Sequence, residues 1–214
     1  ESLAKFFYVI AIDLPGHGKS QVPDLVWDMK GFACALKKVL DENGVQRANF
    51  VGHSFGGKTI LKFADLFPEY AEKLVLIGAS GLRVKPDLKK RIYFLYLKFL
   101  RNFIRFKNTD LGRRIYENWY IPRYASRDYK NAGPMTKTFV KTLNEELKPE
   151  LARNNRPTLL IWGDLDDESP SSVGQEMSRL MSNSKLVILE GRDHYPFLGN
   201  GLPLVTKYIR DFIK

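Results

Sequence analysis

The chain has 214 residues, one cysteine and a formal net charge of +10, from 34 Lys or Arg against 24 Asp or Glu. That length suits one domain, or one domain carrying an insertion, and buries about 70% of its unfolded surface without a metal or disulfide staple. The lone Cys34 excludes an internal disulfide and a cysteine-rich zinc site, and no uncharged apolar run approaches the ~18 residues of a spanning helix, so a soluble, reducing, cytoplasmic setting is expected, with no signal-peptide layout over Glu1–Lys5.

Phe6–Asp13 (FFYVIAID) reads as a buried strand stopped by Leu14-Pro15-Gly16-His17-Gly18. Lys30–Asn43 places Phe32, Leu36, Val39 and Leu40 at helical spacing and ends at Gly44. Arg47–Val51 is a short strand leading into Gly52-His53-Ser54-Phe55-Gly56-Gly57, after which Lys58–Phe67 reads as a helix closed by Pro68. Lys73–Ile77 is another buried strand. Leu88–Lys107 is helical, aromatic and basic, with an apolar arc of about 200°. From Gly112 to Pro149 the pattern stays helical, broken by Pro122 and by Gly133-Pro134. Thr158–Trp162 restores the strand pattern and ends at Gly163-Asp164-Leu165-Asp166. Gln175–Met181 is helical, Lys185–Leu189 a strand followed by Glu190-Gly191-Arg192-Asp193-His194, and Leu204–Ile213 a closing helix. Strands of near-continuous apolar text that alternate with helices predict an α/β fold with a mostly parallel sheet covered on both faces. The divisions are 1–82 for the first part of the core, 83–150 for a helical insertion and 151–214 for the second part.

The charge is uneven. Residues 83–130 hold 14 basic and 4 acidic side chains, which is the whole excess, and 11 of the 27 aromatic residues. Four readings compete for this block: an aromatic face over an apolar acyl pocket, taken first; contact with an anionic lipid surface; recognition of an anionic substrate; and nucleic-acid binding, placed last because no recognition motif accompanies the charge.

Gly52-His53-Ser54-Phe55-Gly56 matches G-x-S-x-G between a strand and a helix. A nucleophile on so sharp a turn needs glycines beside it, because side chains there clash. The turn lifts the Ser54 hydroxyl and aims backbone N–H groups, that of Phe55 among them, at the reacting centre. A serine needs a base, and the base an orienting acid. Of His17, His53 and His194, only His194 follows Ser54, in a loop just past a strand. His53 is assigned to packing, and His17 to the lining of the site. The acid belongs in the loop after the preceding strand, where Asp164, Asp166, Asp167 and Glu168 lie. Asp166 is chosen by register, with Asp164 and then Asp167 as rivals. Asp13 precedes Ser54, and its expected task is to bond N–H groups of its own turn.

Four segments together resemble the α/β-hydrolase superfamily of esterase- and lipase-like proteins: Ile12-Asp13-Leu14-Pro15-Gly16-His17-Gly18-Lys19-Ser20, Gly52–Gly57, Leu160–Asp166 and Gly191–His194. The resemblance implies Ser54, Asp166 and His194 as a catalytic triad and the insertion as a cap. It implies hydrolysis of a carboxylic ester or related acyl bond on a small-molecule substrate, with no metal or organic cofactor. An acyltransferase, a C–C bond hydrolase and a catalytically inert binding protein are the alternatives. A serine nucleophile argues against dehalogenases and epoxide hydrolases of the family, which use aspartate there.

The family's pattern also has three strands and a helix ahead of the segment at 6–13, with a His-Gly loop supplying a second oxyanion donor. Their absence leaves three readings: a fragment, a truncated product, or a sheet in which the flanking strands pair directly. The third strand of the family would lie between 6–13 and 47–51. With strands about 4.8 Å apart, a gap of twice that is expected if nothing fills it.

Overall fold

The computed structural model describes residues 1–82, 88–106, 110–124 and 127–214. They group into two compact units, one formed by Glu1–Arg83 with Lys141–Lys214, the other by Val84–Val140.

The larger unit holds a parallel four-stranded sheet: β1 (Ala48–His53), β2 (Ala71–Ile77), β3 (Thr158–Gly163) and β4 (Ser184–Leu189), in that spatial order. Phe50 lies opposite Leu74, Ile77 opposite Ile161, and Trp162 opposite Ile188. Parallel neighbours need crossovers; α2 (Phe55–Leu66) lies between β1 and β2 and α9 (Ser171–Leu180) between β3 and β4, while α1 (Met29–Glu42) precedes the sheet. The period of two in a strand sorts side chains between faces. Leu74, Leu76, Leu160 and Trp162 enter one apolar cluster with Phe32's helix, while Val75, Ile77, Leu159 and Ile161 enter another with Val205 and Ile209. Both faces are therefore covered at the centre of the sheet, which is why Leu74–Ile77 and Leu159–Trp162 are apolar at every position.

In the smaller unit, α3 (Leu88–Phe106) and α4 (Asp110–Ile115) are followed by a wide π turn at Tyr116–Tyr120, then α5 (Ile121–Tyr124) and α6 (Arg127–Asn131). Pro122 sits in the first turn of α5, where its missing N–H is tolerated. Tyr120 is buried and its hydroxyl donates to the Leu97 carbonyl at 3.1 Å. Helix α7 (Thr136–Asn144) runs from this unit back into the larger one, where α8 (Lys148–Arg153), α9 (Ser171–Leu180) and α10 (Leu202–Ile213) complete the helical layers.

One expected element is absent. Phe6–Asp13 is not a strand; residues 8–14 have no regular secondary structure. A strand exists only by pairing, and among the described residues β1 pairs with β2 alone. Between residues 7–12 and β1 lies a cavity of about 970 Å³, walled also by Leu36, Leu40 and Ile60. The two segments do not close on each other, and the backbone at 8–14 joins no ladder.

Candidate active site

The turn after β1 is strained. Ser54 has φ 48° and ψ −112°, and among the described residues it alone, apart from glycines, has positive φ. Such a conformation persists only when its surroundings hold it. The Ser54 N–H donates to the Ile77 carbonyl at 2.9 Å, and the Ser54 carbonyl accepts from the N–H groups of Lys58 and Ser80 at 3.1 and 3.2 Å. A Cβ on Gly52 would meet Gly56 C and Gly57 N at 2.7 Å, and one on Gly57 would meet the Ala79 methyl at 2.6 Å. Gly56, expected to be sterically required, is not: nothing lies within 4 Å of its Cβ position, which borders the cavity. The steric demand falls on the first glycine of the motif and on the one after it.

Phe55 opens α2, so its N–H is among the helix's first, which have no intrahelical acceptor. Its ring stacks on His17 at 5.4 Å and meets the edge of Phe32 at 4.9 Å. His17 is thereby placed beside the elbow, with Nδ1 3.1 Å from the Pro15 carbonyl. Asp13 accepts from Lys19 N at 3.0 Å and closes its own turn.

Asp166 and His194 come together. His194 Nδ1 lies 2.8 Å from Asp166 Oδ2, and both side chains are buried. The other oxygen, Asp166 Oδ1, accepts from Glu168 N at 3.0 Å and Ser169 N at 2.7 Å, so the carboxylate is held at both ends. Asp164 instead accepts the Arg192 N–H at 3.2 Å. Among the described residues the Ser54 hydroxyl makes no hydrogen bond to His194. His194 Nε2 lies 3.7 Å from the half-exposed Glu168 carboxylate.

Two glycines outside the motif shape this pair. Gly78 has φ +50°, and a Cβ there would lie 3.2 Å from both Asp166 Oδ2 and His194 Nδ1. A Cβ on Gly163 would collide with the Arg192 carbonyl, so the strand end must be bare for the His194 loop to pass. Their signal in the sequence is a glycine at the end of each of two consecutive strands. His53 does more than fill space. Its Nε2 lies 2.8 Å from the His194 carbonyl, and its ring lies 4.5 Å from that of His194, tying the elbow to the histidine loop. Burial pushes the His53 imidazole below its usual 6.5, outweighing the His194 carbonyl contact that favours the cation. Neutral His53 can donate Nε2–H to that carbonyl. The cavity beside β1 is a separate feature, since Ser54, Asp166 and His194 do not line it. Among the described residues no group of three His, Cys, Asp or Glu could hold a metal ion.

A family model described as the alpha/beta hydrolase fold matches residues 1–200. The uncharacterized hydrolase YugF of Bacillus subtilis is 29% identical over 96% of this chain and 80% of its own length. The 2-hydroxy-6-oxononadienedioate/2-hydroxy-6-oxononatrienedioate hydrolase of Escherichia coli K12 is 27% identical over 88% of this chain and 70% of its own. The chain spans 64% of the length of mycobacterial relatives that are 26% identical. Among solved structures, the meta-cleavage product hydrolase CumD of Pseudomonas fluorescens IP01 superposes with a TM-score of 0.72 at 21% identity, covering 99% of this chain and 81% of that one. At that identity the likeness is one of fold.

Proposed function

The chain belongs to the α/β-hydrolase fold family, and on that footing we propose that it is a serine hydrolase of carboxylic esters or related acyl bonds, with Ser54 as nucleophile, His194 as base and Asp166 as orienting acid. The observation that carries the reading is the buried 2.8 Å Asp166–His194 pair, which follows in chain order a serine at φ 48° on a glycine-walled turn. His194 Nε2 takes the Ser54 proton as Oγ attacks the acyl carbon, and the Phe55 N–H stabilises the oxyanion. The imidazolium protonates the leaving oxygen. Neutral His194 then takes a proton from water as the water oxygen attacks the acyl-enzyme carbon, and returns it to Ser54 Oγ as the acyl–Oγ bond breaks, which releases the acid and regenerates Ser54. The ring exchanges its Glu168 neighbour for Ser54 when substrate arrives; such bonds are often long or unmade before substrate binds. Residues 83–150 are proposed as the cap insertion. The cytoplasm is proposed as the setting, supported by a single, exposed cysteine.

A second reading, hydrolysis of a C–C bond on the same three residues, draws on the Escherichia coli relative, whose name makes it a hydrolase of 2-hydroxy-6-oxononadienedioate and 2-hydroxy-6-oxononatrienedioate. A fluorophosphonate probe and short p-nitrophenyl esters test the first. The protein should be labelled stoichiometrically and turn the esters over, and Ser54→Ala should lose both. Labelling or turnover that survives Ser54→Ala would overturn it. Product analysis with a vinylogous 1,5-diketone acid separates C–C from ester cleavage.

A further inference from the structure

The longest helix among the described residues lies outside the proposed triad. Helix α3 is 19 residues long, carries six Lys or Arg and six Phe or Tyr, and contains no Asp or Glu. At 100° per residue, Ile92, Leu95, Tyr96, Phe99 and Phe103 fall in one stripe about 100° wide, with Lys98 on its flank and Arg101 on the opposite face. Tyr120, within the same unit, donates to the carbonyl of Leu97, which lies away from the stripe. The stripe itself is open: Phe99 is 71% exposed, Phe103 66% and Leu95 65%. Phe99 and Phe103 stack on each other at 6.4 Å, so they form a continuous patch. Leu111, on α4, is exposed as well. Five large side chains exposed to this degree present several hundred Å² of apolar surface, which a monomer in water rarely leaves bare.

We propose that α3 lies in the headgroup region of an anionic lipid surface, with the Ile92–Phe103 stripe inserted and the basic residues of the smaller unit drawn to the lipid charge. The occupant follows from charge complementarity. The block at 83–130 holds all of the chain's +10 excess, and its longest helix has no acidic side chain to repel an anionic surface. An amphipathic helix with aromatic and aliphatic residues on one face and Lys or Arg on the other is the form that rests in an interface plane. Each cation near such a surface adds a salt-sensitive increment. No helix among the described residues is long and apolar enough to cross a membrane, so α3 would lie on the surface. A nucleic acid would use the cations and leave the apolar stripe in water. A second copy of the chain would bring +10 against +10.

Co-sedimentation of the whole protein with vesicles tests this. Phosphatidylcholine vesicles containing phosphatidylglycerol should bind it at least about tenfold more tightly than phosphatidylcholine alone, and added salt should weaken the binding. Phe99→Ser with Phe103→Ser should lower binding about tenfold with the melting temperature unchanged. Lys98→Glu, which leaves the stripe intact, should lower it about threefold and mainly at low salt. The proposal is overturned if the anionic vesicles do not bind the protein, if both variants bind as the parent does, or if a DNA oligonucleotide binds more tightly than the vesicles. It is also overturned if the double Ser variant turns a dimer into a monomer while vesicle binding is unchanged.

Discussion

At the scale of single residues, the assignment of the acid rests on one bond. Asp164, Asp166 and Asp167 sit in one loop, and local sequence distinguishes them only by register. The structure separates them by partner, since Asp166 receives His194 Nδ1 while Asp164 receives a backbone N–H. Asp166→Asn keeps the shape but can present an N–H where His194 needs an acceptor, favouring the wrong tautomer. Ester turnover should fall about 10⁴-fold in kcat. Asp164→Asn removes one exposed acceptor worth about 1 kcal/mol, and turnover should stay within about tenfold. Comparing kcat for the two variants checks the assignment, and equal losses would contradict it. The residues that local sequence leaves illegible are of another kind. Gly78 and Gly163 are needed because a segment far along the chain passes close by; their place at strand ends marks them, but local sequence does not say which segment approaches. Gly56 shows the converse, since the motif makes it look indispensable while its surroundings leave it room.

Among the elements, α2 does two jobs. Its N-terminus carries the elbow, and its outer turns hold the chain where it returns from the smaller unit. Lys58 is buried and donates to the Thr142 carbonyl at 2.6 Å. Lys62 donates to Glu150 at 2.6 Å and lies 3.6 Å from Glu145, which itself accepts the Met29 N–H at 2.9 Å. Asp65 accepts a two-point contact from Arg153 at 3.0 and 3.1 Å. Burial is the largest single influence and opposes charge on Glu150, yet the Lys62 hydrogen bond, a backbone N–H and the charges of Lys62 and Arg153 together outweigh it and hold its carboxyl below the usual 4.5. The unfolded chain therefore binds that proton more readily than the native one. This contribution to stability is complete above pH 4.5 and is lost as pH falls through the native value. Lys62→Met leaves a largely buried carboxylate without its cation, and should cost about 3 kcal/mol at neutral pH. It should also reverse the acid dependence, since protonating a stranded Glu150 relieves it. Thermal melts from pH 7 to pH 3 check both, and an unchanged profile would show that Lys62 does not hold Glu150. The four strands of the sheet are legible from apolar runs, because burial on both faces keeps Leu74–Ile77 and Leu159–Trp162 free of polar side chains. The latch is not, because its charges look like the solvated face of an ordinary helix until residues 142–153 are brought to it.

For the whole molecule, the sheet is asymmetric at its β1 edge. A run such as Phe6–Asp13 is apolar and β-branched enough to read as a strand, but reading a strand presumes a partner, and pairing is decided by what stands beside it. Here the neighbour of β1 on that side is a cavity of about 970 Å³, and the backbone at 8–14 stays outside the ladder. Among the described residues β1 therefore has one edge without a strand partner, and the Val51 side chain on β1 is exposed. An apolar strand edge with free N–H and C=O groups is a template for pairing with another chain. Self-association through this edge should appear as scattering that rises steeply with concentration. Val51→Lys puts a charge on the edge at an exposed position, where a substitution changes folding stability by less than about 0.5 kcal/mol. The variant should keep its melting temperature and lose the concentration-dependent scattering, which light scattering across a dilution series measures. If scattering persists in Val51→Lys, the association runs through another surface. If scattering is absent even in the parent, the segment at 7–12 shields β1 well enough to serve as its cover without pairing to it.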